Sequence, residues 1–284
     1  MSKLINFTEV NPISNKQNLI IKNQIFSTIK KKDFILGKSV NEFEKKFSKL
    51  SKIKYSVGCA SGTDALILSL MSLNLKKGDE VIVPGMSYIS TGLSVILNDN
   101  KLVFADIDNK TGLISIDKIS KKLTKKTKAI IPVNLYGQKV DLKKLREVVG
   151  RIITIIEDSA QSILAYSCYG CSNNNSTKCC KKKMNEKYSD ISCYSFYPSK
   201  NLGAYGDAGL IATNDKKKYK ELLALRNLGA IKRNRFTLIG KNSRLDNIQS
   251  IVLMNKIRNV LKWNDARREI SNIYDKNLKD IKEI

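Results

Sequence analysis

The sequence predicts an α/β fold in three layers, a mostly parallel sheet covered by helices on both faces. Two observations carry that expectation. The chain has 284 residues, 42% hydrophobic and 27% charged, a globular composition long enough to bury a sizeable core. From about residue 55, short apolar segments rich in β-branched residues alternate with amphipathic ones, the pattern of βαβ units.

The elements follow in order. Residues 55–60 read as a strand and 65–75 as a helix. The apolar stretch 80–83 is a strand, and 89–97 a helix. Residues 102–105 form the next strand and 116–123 the next helix. Strand 129–133 precedes helix 142–149, and 152–156 is a strand built almost wholly of isoleucine. Segments 191–196 and 210–213 read as two further strands. Residues 216–226 are a helix, and 245–284 is mostly helical. The one low-complexity stretch, 165–189, holds Cys168, Cys171, Cys179 and Cys180 among Asn, Ser and Lys. It reads as a surface insertion; adjacent cysteines and the missing second Cys-x2-Cys argue against a zinc knuckle.

Composition excludes several function classes. Histidine is absent, so no Ser-His-Asp or Cys-His machinery and no His metal ligand exists in this chain. Any general acid or base must be Lys, Asp, Glu, Tyr or Cys. No apolar run approaches the roughly 18 residues of a membrane span. The first residues lack the apolar core of a secretory signal, which predicts a cytoplasmic protein with reduced thiols. The net charge of +25 comes mostly from scattered lysines, without an arginine cluster or interleaved aromatics. It reads as solvated faces rather than a nucleic-acid surface.

In an open α/β sheet, ligands bind beyond the carboxyl ends of the strands. That rule selects four loops: Ser61-Gly62-Thr63-Asp64, residues 84–88, residues 134–138 and Glu157-Asp158-Ser159-Ala160-Gln161. Ser61–Asp64 follows a strand and opens a helix, where free N–H groups and the helix dipole favour a phosphate. Taken alone it reads as an ordinary N-cap. Asp158 lies just past the expected strand end, where a buried carboxylate needs a partner such as a lysine or a protonated ring nitrogen. The stretch from Ser195 to Gly209 holds Lys200 between a strand end and three glycines. A lysine in a half-apolar setting can form a Schiff base with a carbonyl.

Six segments in order carry a resemblance. They are Ser61 to Leu66, Gly78 to Pro84, Asn134 to Gln138, Glu157 to Gln161, Ser195 to Gly203 and Asn242 to Asp246. Together they resemble the sugar-nucleotide aminotransferases of the DegT/DnrJ group, pyridoxal-phosphate (PLP) enzymes of the aspartate aminotransferase-like fold. The residues Asp33 to Gly37, followed by 40–47, match that family's entry segment. The resemblance covers about residues 25–284. It implies an N-terminal arm (1–30), a large PLP-binding domain (31–240) with the cysteine-rich insertion, and the start of a C-terminal helical region (241–284). The rest of the family's small domain lies beyond this sequence.

The resemblance also implies roles. Lys200 would link covalently to PLP and shuttle protons. Asp158 would pair with the pyridine nitrogen, Gln161 would hydrogen-bond near the phenolic oxygen, and Tyr88 would stack on the ring. Gly62, Thr63 and Ser195 would hold the phosphate. Asn242 would reach the phosphate of a neighbouring subunit's cofactor, implying a homodimer. Relatives that dehydrate sugars have His where this chain has Lys200, so transamination is favoured, from L-glutamate to a nucleotide-linked keto sugar in polysaccharide or glycan biosynthesis. The alternative is an impaired relic that keeps the fold and dimerises or needs a partner chain.

Overall fold

The computed structural model describes residues 13–165 and 188–281; the four cysteines of the insertion lie outside them. Seven strands form one sheet in the order β1-β7-β6-β5-β4-β2-β3. They are β1 (Tyr55–Cys59), β2 (Glu80–Pro84), β3 (Lys101–Ala105), β4 (Thr127–Ile130), β5 (Thr154–Asp158), β6 (Ile191–Ser195) and β7 (Gly209–Thr213). All neighbours are parallel except β7, which runs antiparallel to both β1 and β6. The expected mostly parallel sheet is the observed one.

Strands β2 and β7 are buried along their whole length, as strands covered on both faces must be. One face packs on α3 (Gly62–Met71), and its cluster joins Leu66 and Leu70 to Val81, Ile131 and Ile211. Helix α4 (Ser90–Ile96) lies beside α3, and α5 (Ile116–Ser120) and α6 (Leu142–Val149) pack together, their Ile119 and Leu145 joining Ile82, Ile130 and Ile155 of the sheet. Helix α7 (Lys216–Leu225) packs against β1 and β7. A second cluster is aromatic: Phe43 and Phe47 of α2 (Lys38–Ser51) meet Tyr194 and Phe196, with Phe43 and Phe196 edge-on at 5.4 Å between centroids. Such pairs contribute beyond their buried area.

The segment read as an arm contains a helix, α1 (Asn15–Lys31), capped by Ser14. It packs against α8 (Asn247–Lys256), and Gln17 donates to the carbonyl of Asn255 (2.6 Å). A last helix, α9 (Val260–Leu278), follows α8 after one 3-10 turn.

One boundary differs in a way that matters for the site. The strand expected over 152–156 runs instead from Thr154 to Asp158. Ile152 is exposed, whereas Glu157 and Asp158 are buried and pair with Ser192 and Cys193 of β6. Hydrophobicity pulled the expected strand towards the isoleucines, but hydrogen-bond donors hold the carboxylates inside, Ser192 and Asn134 at Glu157, Thr91 and the Ala160 N–H at Asp158. Asp158 is therefore the last strand residue, not the first loop residue. Among the described residues no helix is long and apolar enough to cross a membrane.

Candidate active site

The carboxyl ends of the parallel strands gather the selected loops at one end of the sheet. Register shows how close they come: Ser195 and Cys59 both pair with Gly209, while Asp158 pairs with Cys193 and bridges to Val133.

The Ser61–Asp64 loop is both an N-cap and an open cradle. Ser61 Oγ accepts from the Asp64 N–H (3.1 Å), and the Ser61 carbonyl accepts from the Ala65 N–H. The N–H groups of Gly62 and Thr63 belong to the first turn, where no intrahelical acceptor exists, so both are available to an anion. The glycines let the pieces meet. A Cβ on Gly62 would lie 2.6 Å from Ser195 Cβ, and one on Gly209 would lie 2.1 Å from the Ser61 carbonyl oxygen. Ser195 is thus held against the cradle. Lys241 Nζ pairs with Asp64 (2.9 Å), which offsets the one carboxylate that would repel an anion there. Thr63 Oγ1 and Ser90 Oγ share a hydrogen bond of 2.7 Å, tying α3 to the start of α4.

Asp158 is 5% exposed. Thr91 Oγ1 donates to its Oδ2 (3.0 Å), and the Ala160 N–H donates to Oδ1 (3.1 Å). Burial pushes its pKa up. The two donors and the Lys200 ammonium oppose that push without overcoming it. Lys200, half-buried, is shifted the other way: burial lowers its pKa, and the Asp158 carboxylate only partly restores it. Each group thus holds the other's charge in a site that disfavours both.

Gln161 Oε1 accepts from the N–H of Tyr136 (2.9 Å). That leaves the Gln161 amide nitrogen as a donor. Tyr136 has φ +53°, a left-handed conformation that costs a non-glycine residue energy and clusters at functional loops. Tyr88 is exposed on the loop after β2, and Asn242 is exposed beside Ser243, whose Oγ accepts from the Ala60 N–H (3.2 Å).

The structure therefore brings Gly62 and Ser195 together, and Asp158 and Lys200 together. Gln161 follows Asp158 on the same loop. Tyr88 precedes the helix that carries Thr91, and Asn242 stands on a separate segment.

The sequence did not single out Thr91 or the residues around Glu157. Glu157 accepts from Asn134 (2.8 Å), Ser192 (2.8 Å) and Ser189 (3.2 Å) and is paired with Lys139. Thr91 lies three residues past the selected loop 84–88, in the helix expected over 89–97, where a threonine at a helix start reads as a cap.

The family model described as the DegT/DnrJ/EryC1/StrS aminotransferase family matches residues 17–284. This chain belongs to that family. It is 37% identical over 246 residues to a UDP-N-acetyl-3-dehydro-alpha-D-glucosamine 3-aminotransferase of Acidithiobacillus ferrooxidans, covering 86% of this chain and 63% of the relative. It is 36% identical over 249 residues to a UDP-2-acetamido-2-deoxy-3-oxo-D-glucuronate aminotransferase of Pseudomonas aeruginosa, covering 87% of this chain and 66% of the relative. The chain thus spans just under two thirds of the length of these relatives.

Among solved structures, a family aminotransferase from Brucella abortus superposes with a TM-score of 0.88 at 30% identity, covering 98% of this chain and 74% of that one. The Bacillus subtilis protein NtdA with bound cofactor PMP superposes at 0.86 and 29% identity, covering 99% and 63%.

Proposed function

We propose that this chain carries the cofactor-binding half of a PLP-dependent aminotransferase acting on nucleotide-linked keto sugars. The observation that supports this most directly is the buried Asp158 carboxylate beside the half-buried amine of Lys200, next to an open helix N-terminus. The residues fit the group. Asp158 offers a fixed negative charge for a protonated ring nitrogen. The N–H groups of Gly62 and Thr63, with the Ser195 hydroxyl, offer donors for a phosphate. Gln161 offers an amide donor because its oxygen is already engaged.

When bound, PLP supplies an electron sink for the α-carbon of an amino acid. The chain's own residues do the rest. Lys200 is the amine that would hold the cofactor covalently. Its Nζ, when free, would take the proton from the α-carbon of the amino donor, L-glutamate in this reading. A depressed pKa suits that duty, since a neutral amine is needed for both roles. Asp158 would hold the negative charge opposite a protonated ring nitrogen. Tyr88 would cover the ring face. Asn242 would serve a second copy's phosphate site, and the working unit would be a homodimer. The keto-sugar substrate class follows the names of the relatives.

The test is an absorbance spectrum of the purified chain with PLP, before and after L-glutamate. A band for lysine-bound PLP that Lys200→Ala abolishes, and that glutamate converts to the amine form of the cofactor, supports the reading. A folded chain with no such band, or a Lys200→Ala variant with an unchanged one, sinks it. Keto-sugar nucleotides added to the amine form then identify the acceptor.

A further inference from the structure

Lys200 sits in the loop between β6 and β7. The loop folds back on itself: Lys200 N–H donates to the Tyr197 carbonyl and Ala204 N–H to the Phe196 carbonyl, both at 2.8 Å. A Cβ on Gly203 would lie 2.2 Å from the Pro198 carbonyl oxygen, so the turn closes tightly only because residue 203 is glycine. The loop's outer side rests on the C-terminal helices, and two buried polar side chains there reach up to it.

Asn264 of α9 is 8% exposed. Its Oδ1 accepts from Asn201 Nδ2 (2.9 Å), and its Nδ2 donates to the Ile163 carbonyl (2.8 Å). Asn201 adjoins Lys200, and Ile163 lies two residues past Gln161. One amide therefore joins the loop of Lys200 to the loop of Asp158 and Gln161. Lys256 of α8 is 2% exposed. Its Nζ donates to the Gly203 carbonyl (2.8 Å) and lies 4.6 Å from the centre of the Tyr205 ring. Tyr205 is fastened in turn, its N–H to Gln249 Oε1 (2.8 Å) and its hydroxyl to Asn18 Oδ1 (3.0 Å). The contacts on Nζ are a carbonyl and a ring face rather than a carboxylate. A leucine or methionine would fill either position at lower desolvation cost, so bulk packing does not explain these two residues.

We propose that Asn264 and Lys256 are positioning residues that clamp the Lys200 loop from behind, so that the C-terminal helices fix where the reactive amine stands relative to Asp158. This rests on the reading of Lys200 as the cofactor-attaching amine. The clamp acts at two points just C-terminal to the lysine, residue 201 through Asn264 and residue 203 through Lys256. Because Asn264 also holds Ile163, the two loops shift together or not at all.

The test uses the cofactor-free chain. Competitive acetylation with acetic anhydride across a pH series, read at Lys200 by mass spectrometry, gives the pKa of that amine with no PLP present. Asn264→Ala and Asn201→Ala remove the same hydrogen bond from opposite ends. Each is expected to move the Lys200 pKa up towards its ordinary value as the loop loosens and the amine gains water. The double variant should shift it no further. Lys256→Met, which keeps the apolar stem, should shift it in the same direction. Thermal melts identify any variant that fails to fold, and the others then decide. A Lys200 pKa unchanged in the folded variants, with only the melting temperature lowered, would show packing alone and overturn the clamp. The PLP reading stands apart from this result: a clamp that passes in a chain that never binds PLP would leave the clamp intact and discard the cofactor.

Discussion

Two carboxylates adjacent on β5 live in opposite conditions. Glu157 is surrounded by donors: Asn134 and Lys139 on one oxygen, Ser192 and Ser189 on the other. Burial alone would push its pKa up, but the Lys139 charge and the hydrogen bonds outweigh that and bring it down to about 2. Asp158, one residue on and just as deep, has Thr91 and one backbone N–H, and its pKa is raised. Depth does not separate the two, so partner supply does. Glu157 is a finished structural ion, whereas Asp158 holds charge that its surroundings leave short of partners. A group left in that state in a cleft is a candidate for binding something positive.

The largest break in the comparison comes from stripping Glu157. Lys139→Met leaves a buried carboxylate with hydroxyl and amide donors only. We expect a loss of about 3–5 kcal/mol, read as a lower urea midpoint at unchanged slope.

The same pair has a pH signature. Glu157 has a folded pKa near 2 against an ordinary 4.5. Its stabilisation is therefore full above about pH 4.5 and fades as pH falls towards 2. The Lys139→Met variant should show a flatter acid limb over that window in unfolding free energy against pH. Equal slopes would mean the pair is not what holds Glu157 ionised.

Asp158→Asn acts in the opposite sense. The folded pKa of Asp158 is raised, so its ionisation opposes folding; that cost is absent below the unfolded pKa and complete above the folded one. At neutral pH the cofactor-free variant should be more stable than the parent by on the order of 1 kcal/mol, while PLP affinity falls at least tenfold. The stability gain should vanish in acid. A variant that loses stability at pH 7 would place Asp158 with Glu157 as a structural ion.

Thr91→Val is the smallest test. It keeps the shape and removes one donor to Asp158, for about 1 kcal/mol. Equilibrium unfolding of the cofactor-free chain measures it, and PLP affinity should fall severalfold alongside.

The sequence made some of this legible and concealed the rest for physical reasons. The parallel sheet and the ends that carry the site follow from alternating apolar segments. Lys200, Asp158 and the Ser61–Asp64 loop are visible because each sits where a strand hands over to a loop. The role of Glu157 was hidden because its partners, Asn134, Lys139, Ser189 and Ser192, come from two distant segments, 134–139 and 189–192. The β5 boundary was misjudged because Ile152 looks like core and is instead exposed. Asn264 and Lys256 lie some 50 to 65 residues beyond the loop they touch. In the sequence they are ordinary polar positions of amphipathic helices.

The antiparallel strand has a consequence for how the chain comes together. Residues 55–59 find their sheet partner only in residues 209–213. During synthesis β1 must wait for roughly 150 further residues, on the order of 8 to 30 seconds at ribosomal speed. Until β7 emerges and slides between β1 and β6, Gly209 is not in place beneath the Ser61 carbonyl, and the anion cradle has no floor. The cradle is encoded early in the chain and assembled late, so its appearance marks near-complete folding of the sheet. A nascent chain stalled before residue 209 should carry the helix of the cradle and still lack the site.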